Sequence, residues 1–232
     1  MPSTSPPPSS DVPESGYARG VTQLEHVDPT QVEDPELDRA FDQVLCEMVG
    51  VLDEAEIPFL LMGGISSTIH GRERWTHDID IFIRERHARP ALEVLAAHGY
   101  ETEETYWDWL YKAWKDDITI DLIFRSTGGI RLDEEMYERS EHGDFHGVKA
   151  RLLPPEDLIV IKSVVHDEHL PRHWYDALGV LGRCELDWDY LLSRARAYGA
   201  RRVLSLLVYA QSNDLIVPNR VIEQLFDDIY RS

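Results

Sequence analysis

Three carboxylates and a pair of glycines have the types and spacing to do chemistry. Asp78 and Asp80 flank a single isoleucine in Asp78-Ile79-Asp80-Ile81-Phe82-Ile83, and Asp121 sits inside Ile118-Thr119-Ile120-Asp121-Leu122-Ile123-Phe124. In an extended chain, residues two apart share a face, so Asp78 and Asp80 point one way and Ile79 and Ile81 the other. Carboxylates held side by side repel and raise each other's pKa, a cost that a divalent cation removes. Magnesium suits such a set, because it takes a few carboxylates together with substrate phosphates and water. A D-x-D pair alone is also what a solvent-facing edge strand carries. Asp121 narrows the choice. An acid among so many apolar neighbours needs a partner, and a strand lying beside Asp78 and Asp80 would let all three converge.

Gly63-Gly64 follows the apolar run Phe59-Leu60-Leu61-Met62 and precedes a short helical stretch from Ser66 to His70. Glycines there let the backbone turn sharply and approach a ligand. The helix N-terminus behind them offers unpaired N–H groups and partial positive charge, which suit a phosphate. Ser66 can add a hydroxyl donor. By itself this is also an ordinary turn. Arg72 and Arg74 lie between the glycines and the D-x-D, placed either to neutralise a triphosphate or to sit solvated in a loop.

The elements that must hold these groups read as follows. Residues 1–34 are rich in Pro, Ser and acids, which predicts a disordered tail. A helix starts near Pro35, with Leu37, Phe41, Val44, Leu45, Met48, Val49 and Leu52 at three- and four-residue intervals. A strand at 59–62, the D-x-D strand, a helix over 90–98, strands over 109–114 and 118–124 joined by Lys115-Asp116-Asp117, and a hairpin within 144–153 come next. After Pro154-Pro155 the pattern is helical over 155–166, 172–182, 187–198, 200–212 and 218–230. The expected fold class is α/β (α+β), a mixed, five-stranded type of sheet flanked by helices. A catalytic domain over 35–153 would precede a helical subdomain over 154–232.

Bulk properties restrict the partners. The chain has 43 Asp and Glu against 23 Lys and Arg, a net charge of −20. That balance argues against broad, charge-driven binding to nucleic acid, where Lys and Arg supply most of the affinity. Cys46 and Cys184 are the two cysteines, too far apart for metal-ligand spacing or a disulfide framework. The N-terminus lacks the basic start and apolar run of a secretory signal, and no apolar stretch approaches the roughly 20 residues of a membrane helix. A reducing cytoplasm, with no membrane partner, is the expected location.

Taken together, Gly63-Gly64-Ile65-Ser66, eleven intervening residues, Asp78-Ile79-Asp80, and Asp121 on a later strand resemble the DNA polymerase β-like nucleotidyltransferases over about residues 57–125. The resemblance implies an NTP substrate bound through Gly63, Gly64 and a serine, and Mg2+, or Mn2+ in its place, held by Asp78, Asp80 and Asp121. An NMP would move to a hydroxyl-bearing acceptor that could be a small molecule, a protein or an RNA. The family's adjacent Gly-Ser is here Gly-x-Ser, which leaves either Ser66 or Ser67 for the phosphate. Further on, Pro154-Pro155-Glu156-Asp157-Leu158, Lys162 and Arg172-His173-Trp174-Tyr175-Asp176 resemble bacterial relatives that include AbiE-type toxins, which would bring an antitoxin partner. That resemblance gives Lys162 a phosphate contact and Asp176 a supporting or base-like role. The alternative for Lys162 is a surface helix lysine.

Two other readings remain open at this point. His77-Asp78 and His166-Asp167 are His-Asp pairs of the kind found in metal phosphohydrolases, but those pairs need helical settings and Asp78 begins an alternating strand. Trp107, Trp109 and Trp114 could stack on a base, with core packing as the default for aromatics.

Overall fold

The computed structural model describes residues 35–231 apart from 168 and 170, so the expected tail over 1–34 lies outside the described residues. Helix α1 (Pro35–Glu54) leads into β1 (Phe59–Leu61), α2 (Gly63–His70), β2 (Asp78–Ile83) and α3 (Glu85–Ala97). Then come β3 (Glu101–Tyr106), β4 (Leu110–Lys115), β5 (Ile118–Ile123), α4 (Glu134–Arg139), β6 (Glu141–Phe145) and β7 (Val148–Leu152). The rest is helical: α5 (Pro155–Val165), α6 (Arg172–Arg183), α7 (Trp188–Tyr198), α8 (Ala200–Ser212) and α9 (Asn219–Tyr230).

One mixed sheet runs β3-β4-β5-β2-β1-β7-β6, seven strands where the sequence suggested five. β2 lies antiparallel to β1 and parallel to β5, and β4 is antiparallel to β5. The β4–β5 turn places Asp116 and Asp117 at φ 50° and 63°. Aspartate tolerates that left-handed region, and two such residues in succession make the tight turn whose twist matches a hairpin.

The two faces of the sheet are packed separately. On one, Ile79, Ile81 and Ile83 join Phe59, Leu61, Ile118, Ile120 and Leu122 under α1 and α3. On the other, Leu60, Met62 and Phe82 pack with the helices from α4 onward. Period-two alternation in β2 and β5 produces both.

Three departures from the sequence pattern have local causes. β3 reads Glu-Thr-Glu-Glu-Thr-Tyr and buries none of its residues, so it shows no apolar stripe. It forms an outer edge of the sheet, where charge discourages pairing with another chain. α3 begins five residues before Pro90, whose ring is exposed while Ala88, Ala91, Leu92 and Leu95 are buried. The short α4 starts where the Asp133 carboxylate accepts the Met136 N–H at 2.9 Å, an N-cap.

α5 shares an apolar cluster with Leu60 and Phe82 of the sheet. Its acidic first turn is buried and fully engaged: the Asp187 N–H donates to Glu156 at 2.7 Å, while Tyr190 Oη and Arg194 Nε each donate to Asp157 at 2.7 Å. Arg194 also reaches Asp133 at 2.6 Å. Burial pushes the Asp157 carboxyl up to about 6 against the opposing pull of Arg194. The Pro-Glu-Asp-Leu start is therefore an anchor that fixes where the rest of α5 points.

Candidate active site

The register of β2 and β5 sets Asp80 directly opposite Asp121, with Asp78 opposite Thr119. The neighbouring register sets Lys112 of β4 opposite Asp121, and its ammonium lies 2.5 Å from Asp121 Oδ1. All three acids thus occupy the face that continues through Phe82 into the core under α5. Where that apolar packing stops, a cleft of about 500 Å³ opens, lined by Asp78, Asp80 and Asp121 on the sheet side. Lys162, Arg172 and His173 line it from the helical side, with Gly63, Gly64 and Arg74 at one flank and Trp109, Arg125 and Thr127 at the other.

Crowding of negative charge shows in the protonation behaviour. Asp80 is pushed up to about 6, first by burial, then by the charge of Asp121, with Lys162 pulling the other way. Burial likewise raises Asp121, opposed by its contact with Lys112. Gly63 explains how the backbone tolerates this. At φ +57° it passes so close over Asp80 that a Cβ would lie 1.7 Å from Oδ2, and at Gly64 a Cβ would lie 2.3 Å from Thr76 Oγ1. Met62 N–H donates to the Asp80 carbonyl at 2.9 Å, fixing the glycine turn against β2. The glycines are required by close approach, not by a turn alone.

The donor set suits a hard divalent cation: carboxylates in register, repelling one another, beside backbone N–H groups where phosphate oxygens can complete a coordination shell. Among the described residues no group of three or more His, Cys, Asp or Glu side chains is already gathered around one point for a metal. Asp121 supplies a reason, since Lys112 occupies one of its oxygens. Asp78 and Asp80 could hold such a cation without displacing a protein partner, whereas Asp121 could join them only if Lys112 gave up that oxygen.

The two serines lie elsewhere. Both are fully buried and neither lines the cleft. Ser67 donates back to the Gly63 carbonyl at 2.6 Å, and Ser66 Oγ has no partner. The helix begins at Gly63 itself, which turns positions 66 and 67 into the interior and leaves Gly63 and Gly64 at the cleft.

Lys162 is no surface lysine. It is 5% exposed and donates to Asp176 at 2.7 Å, while Arg74 Nε meets the other oxygen of Asp176 at 3.0 Å. Asp176 is buried, pairs with both cations and lies outside the cleft lining. Burial lowers the Lys162 ammonium and Asp176 opposes the fall. Arg72 points away, its guanidinium 3.9 Å from the Tyr175 ring centre. His173, unremarked beyond its place in the Arg-rich turn, lines the cleft with an imidazole pushed down to about 4 by burial and by Lys162 and Arg172, hence neutral. His166 caps α5 and stacks on Trp174 at 4.5 Å, and Asp78 lies on a strand, so neither His-Asp pair has the helical setting of a phosphohydrolase.

A family model described as an uncharacterised nucleotidyltransferase matches residues 38–212. The chain belongs to that nucleotidyltransferase family. Solved structures similar to this nucleotidyltransferase include the antibiotic-resistance factor ANT(2'')-Ia, at 16% identity and TM-score 0.48 over 75% of this chain and 94% of that one. The lincosamide antibiotic adenylyltransferase LnuA, bound to lincomycin, aligns at 14% identity and TM-score 0.42 over 64% and 96%. An antigenic nucleotidyltransferase-like protein from Paracoccidioides brasiliensis aligns at 16% and 0.44 over 83% and 94%. No curated protein matches the chain. Among the described residues no helix is long and apolar enough to cross a membrane.

Proposed function

We propose that this nucleotidyltransferase moves an NMP unit from an NTP to a hydroxyl-bearing acceptor, using Mg2+, or Mn2+ in its place, held by Asp78 and Asp80 with Asp121 as third ligand. The observation that carries this reading is the in-register pairing of Asp80 with Asp121, opening on a cleft that Lys162 lines from the helical side and Arg74 from the flank of the glycines. Bound cations would polarise the phosphoryl oxygens and offset charge on the attacking and leaving oxygens. The protein's own groups do the rest. Gly63 and Gly64 present backbone to the phosphates, and Lys162 with Arg74, kept together by Asp176, faces the departing pyrophosphate. Asp121 takes the acceptor's proton as its oxygen bonds to the α-phosphorus. The bond from that phosphorus to the bridging oxygen breaks, and pyrophosphate leaves with the electron pair. In this reading residues 35–153 form the catalytic domain, and the helical subdomain over 154–232 contributes Lys162.

The test is incubation with each α-labelled NTP, Mg2+ and cell extract, followed by identification of what becomes labelled. Transfer of label by the wild type, lost in Asp78→Asn and in Asp80→Asn, is the expected result. Label transfer retained in both variants would remove the metal-site assignment.

A further inference from the structure

Three large aromatic side chains stand together on the turn between β3 and β4. Tyr106 and Trp109 stack with ring centres 5.2 Å apart and planes 18° apart, and they are 49% and 37% exposed. Trp107 is 80% exposed. Core packing, the default for tryptophan, does not account for this turn. The turn is nonetheless rigidly placed: Phe124 N–H donates to the Trp109 carbonyl at 3.0 Å, and Arg125 pairs with Asp108 at 2.5 Å. Of the three aromatics Trp109 alone lines the cleft, together with Ile123 from β5 and Ile161 and Val165 from α5. This is an apolar wall in a cleft otherwise built from charge.

The sheet order decides which substrate meets that wall. Across the sheet, Gly63 flanks β2 on the β1 side, whereas Asp121, Ile123 and Trp109 lie on the β5 and β4 side. Phosphoryl transfer keeps attacking and leaving oxygens roughly in line. If pyrophosphate departs toward the glycines and Arg74, the acceptor oxygen enters from the opposite flank, past Asp121. Resting on the nucleotidyl-transfer reading above, we propose that Trp109, backed by Tyr106 and facing Ile161 and Val165, is the acceptor-binding platform, and that the acceptor is a compact hydroxyl compound whose ring presents an apolar face to the indole. Sugar and aromatic rings both offer such a face. Open-chain alcohols do not.

The probes are benzyl alcohol and methyl glucopyranoside as ring compounds, glycerol as the open-chain control, and ATP and inorganic tripolyphosphate as ligands for the other flank, all with Mg2+. Ligand-observed NMR on the whole chain should show saturation transfer to the ring compounds but not to glycerol. Trp109→Ala should abolish it, Trp109→Phe should restore most of it, and Trp107→Ala should leave it unchanged. ATP and tripolyphosphate affinities should move less than about twofold in all three variants. Ring compounds that fail to bind, or bind equally to Trp109→Ala, overturn the proposal. So does a tenfold loss of ATP affinity in Trp109→Ala with tripolyphosphate unaffected, which would make the platform a base site. Failure of the wild type to bind either ATP or tripolyphosphate strikes the nucleotidyl-transfer reading instead, and is read separately from the ring probes.

Discussion

The two faces of β2 use the same six residues for opposite ends. Toward α1 and α3, Ile79, Ile81 and Ile83 are completely buried in continuous apolar packing. Toward the helical half, Asp78 is exposed, Asp80 is partly buried and Phe82 is completely buried. The strand passes from water through a charged cleft into core within three alternate positions. One face supplies stability and the other gives some up. Asp80 is held in a place that disfavours its charge, and the backbone over it requires glycine at Gly63. Perturbed titratable groups in a cleft are a common mark of functional sites, and the proposed cation and phosphates would relieve this conflict.

The strongest way to break the comparison is at Asp80. Asp80→Asn keeps the shape and removes the charge, so transfer should drop about a thousandfold or more, the loss of several kcal/mol of transition-state stabilisation. Label-transfer rates at saturating NTP check this. A smaller effect would mean that the charged face does not serve the chemistry.

Next in size is Asp176→Ala, which strips the partner from buried Lys162 and half-buried Arg74. Removing one member of a buried ion pair costs about 3–5 kcal/mol, read as a lowered urea midpoint. Lys162→Ala should cost less stability than Asp176→Ala but weaken binding of a non-hydrolysable NTP, because the cation and not the acid faces the cleft. Equal NTP affinity in wild type and Lys162→Ala would confine the phosphate site to the sheet side.

The charge conflict itself should appear as pH dependence. Asp80 binds its proton more tightly in the folded chain, about 6 against 3.8. Its contribution to stability is therefore fully present below 3.8 and is lost as pH rises through 6. The shift corresponds to on the order of 2–3 kcal/mol. Asp80→Asn should accordingly unfold at higher temperature than wild type at pH 7 without added metal, and the difference should shrink by pH 4. A variant less stable than wild type at pH 7 would show that Asp80 is satisfied as it stands.

The smallest effect belongs to the other face. Ile81→Val should cost about 0.5–1.5 kcal/mol, the price of a lost methylene in a packed core, and leave activity per folded molecule unchanged. Paired with Asp80→Asn, it separates the two duties of one strand.

Much of this contrast was readable in advance because it rests on alternation. Asp78-Ile79-Asp80-Ile81 and Ile120-Asp121-Leu122 state which side chains share a face, and Gly63-Gly64 states where the backbone comes close. β3 carries no apolar signal in the sequence because this acidic edge strand buries nothing, and its charge discourages pairing outward. Pro90 suits a first-turn position and so marks a later start for α3 than the structure has, where the helix already runs before it with the ring exposed. A helix that starts at Ser66, as the sequence pattern suggests, would leave a serine hydroxyl at its first turn beside the phosphate. Starting the helix at Gly63 turned both hydroxyls inward.

Sequence by itself determined the identity of the acids, the period that aligns Asp78 with Asp80, and the glycines that clear space above them. These are local facts, set by covalent geometry and side-chain volume over a few residues. Tertiary structure alone decided that β5 lies parallel beside β2 in the register that sets Asp121 against Asp80. It also buried Lys162 against Asp176 and brought Trp109 to the rim of the cleft. Lys162 and Asp176 are 14 positions apart, and Asp80 and Asp121 sit on separate strands that only the sheet brings together. Such pairings depend on how separate faces pack, and no short-range pattern encodes that: a lysine on a helix reads the same whether the surface above it is water or a sheet.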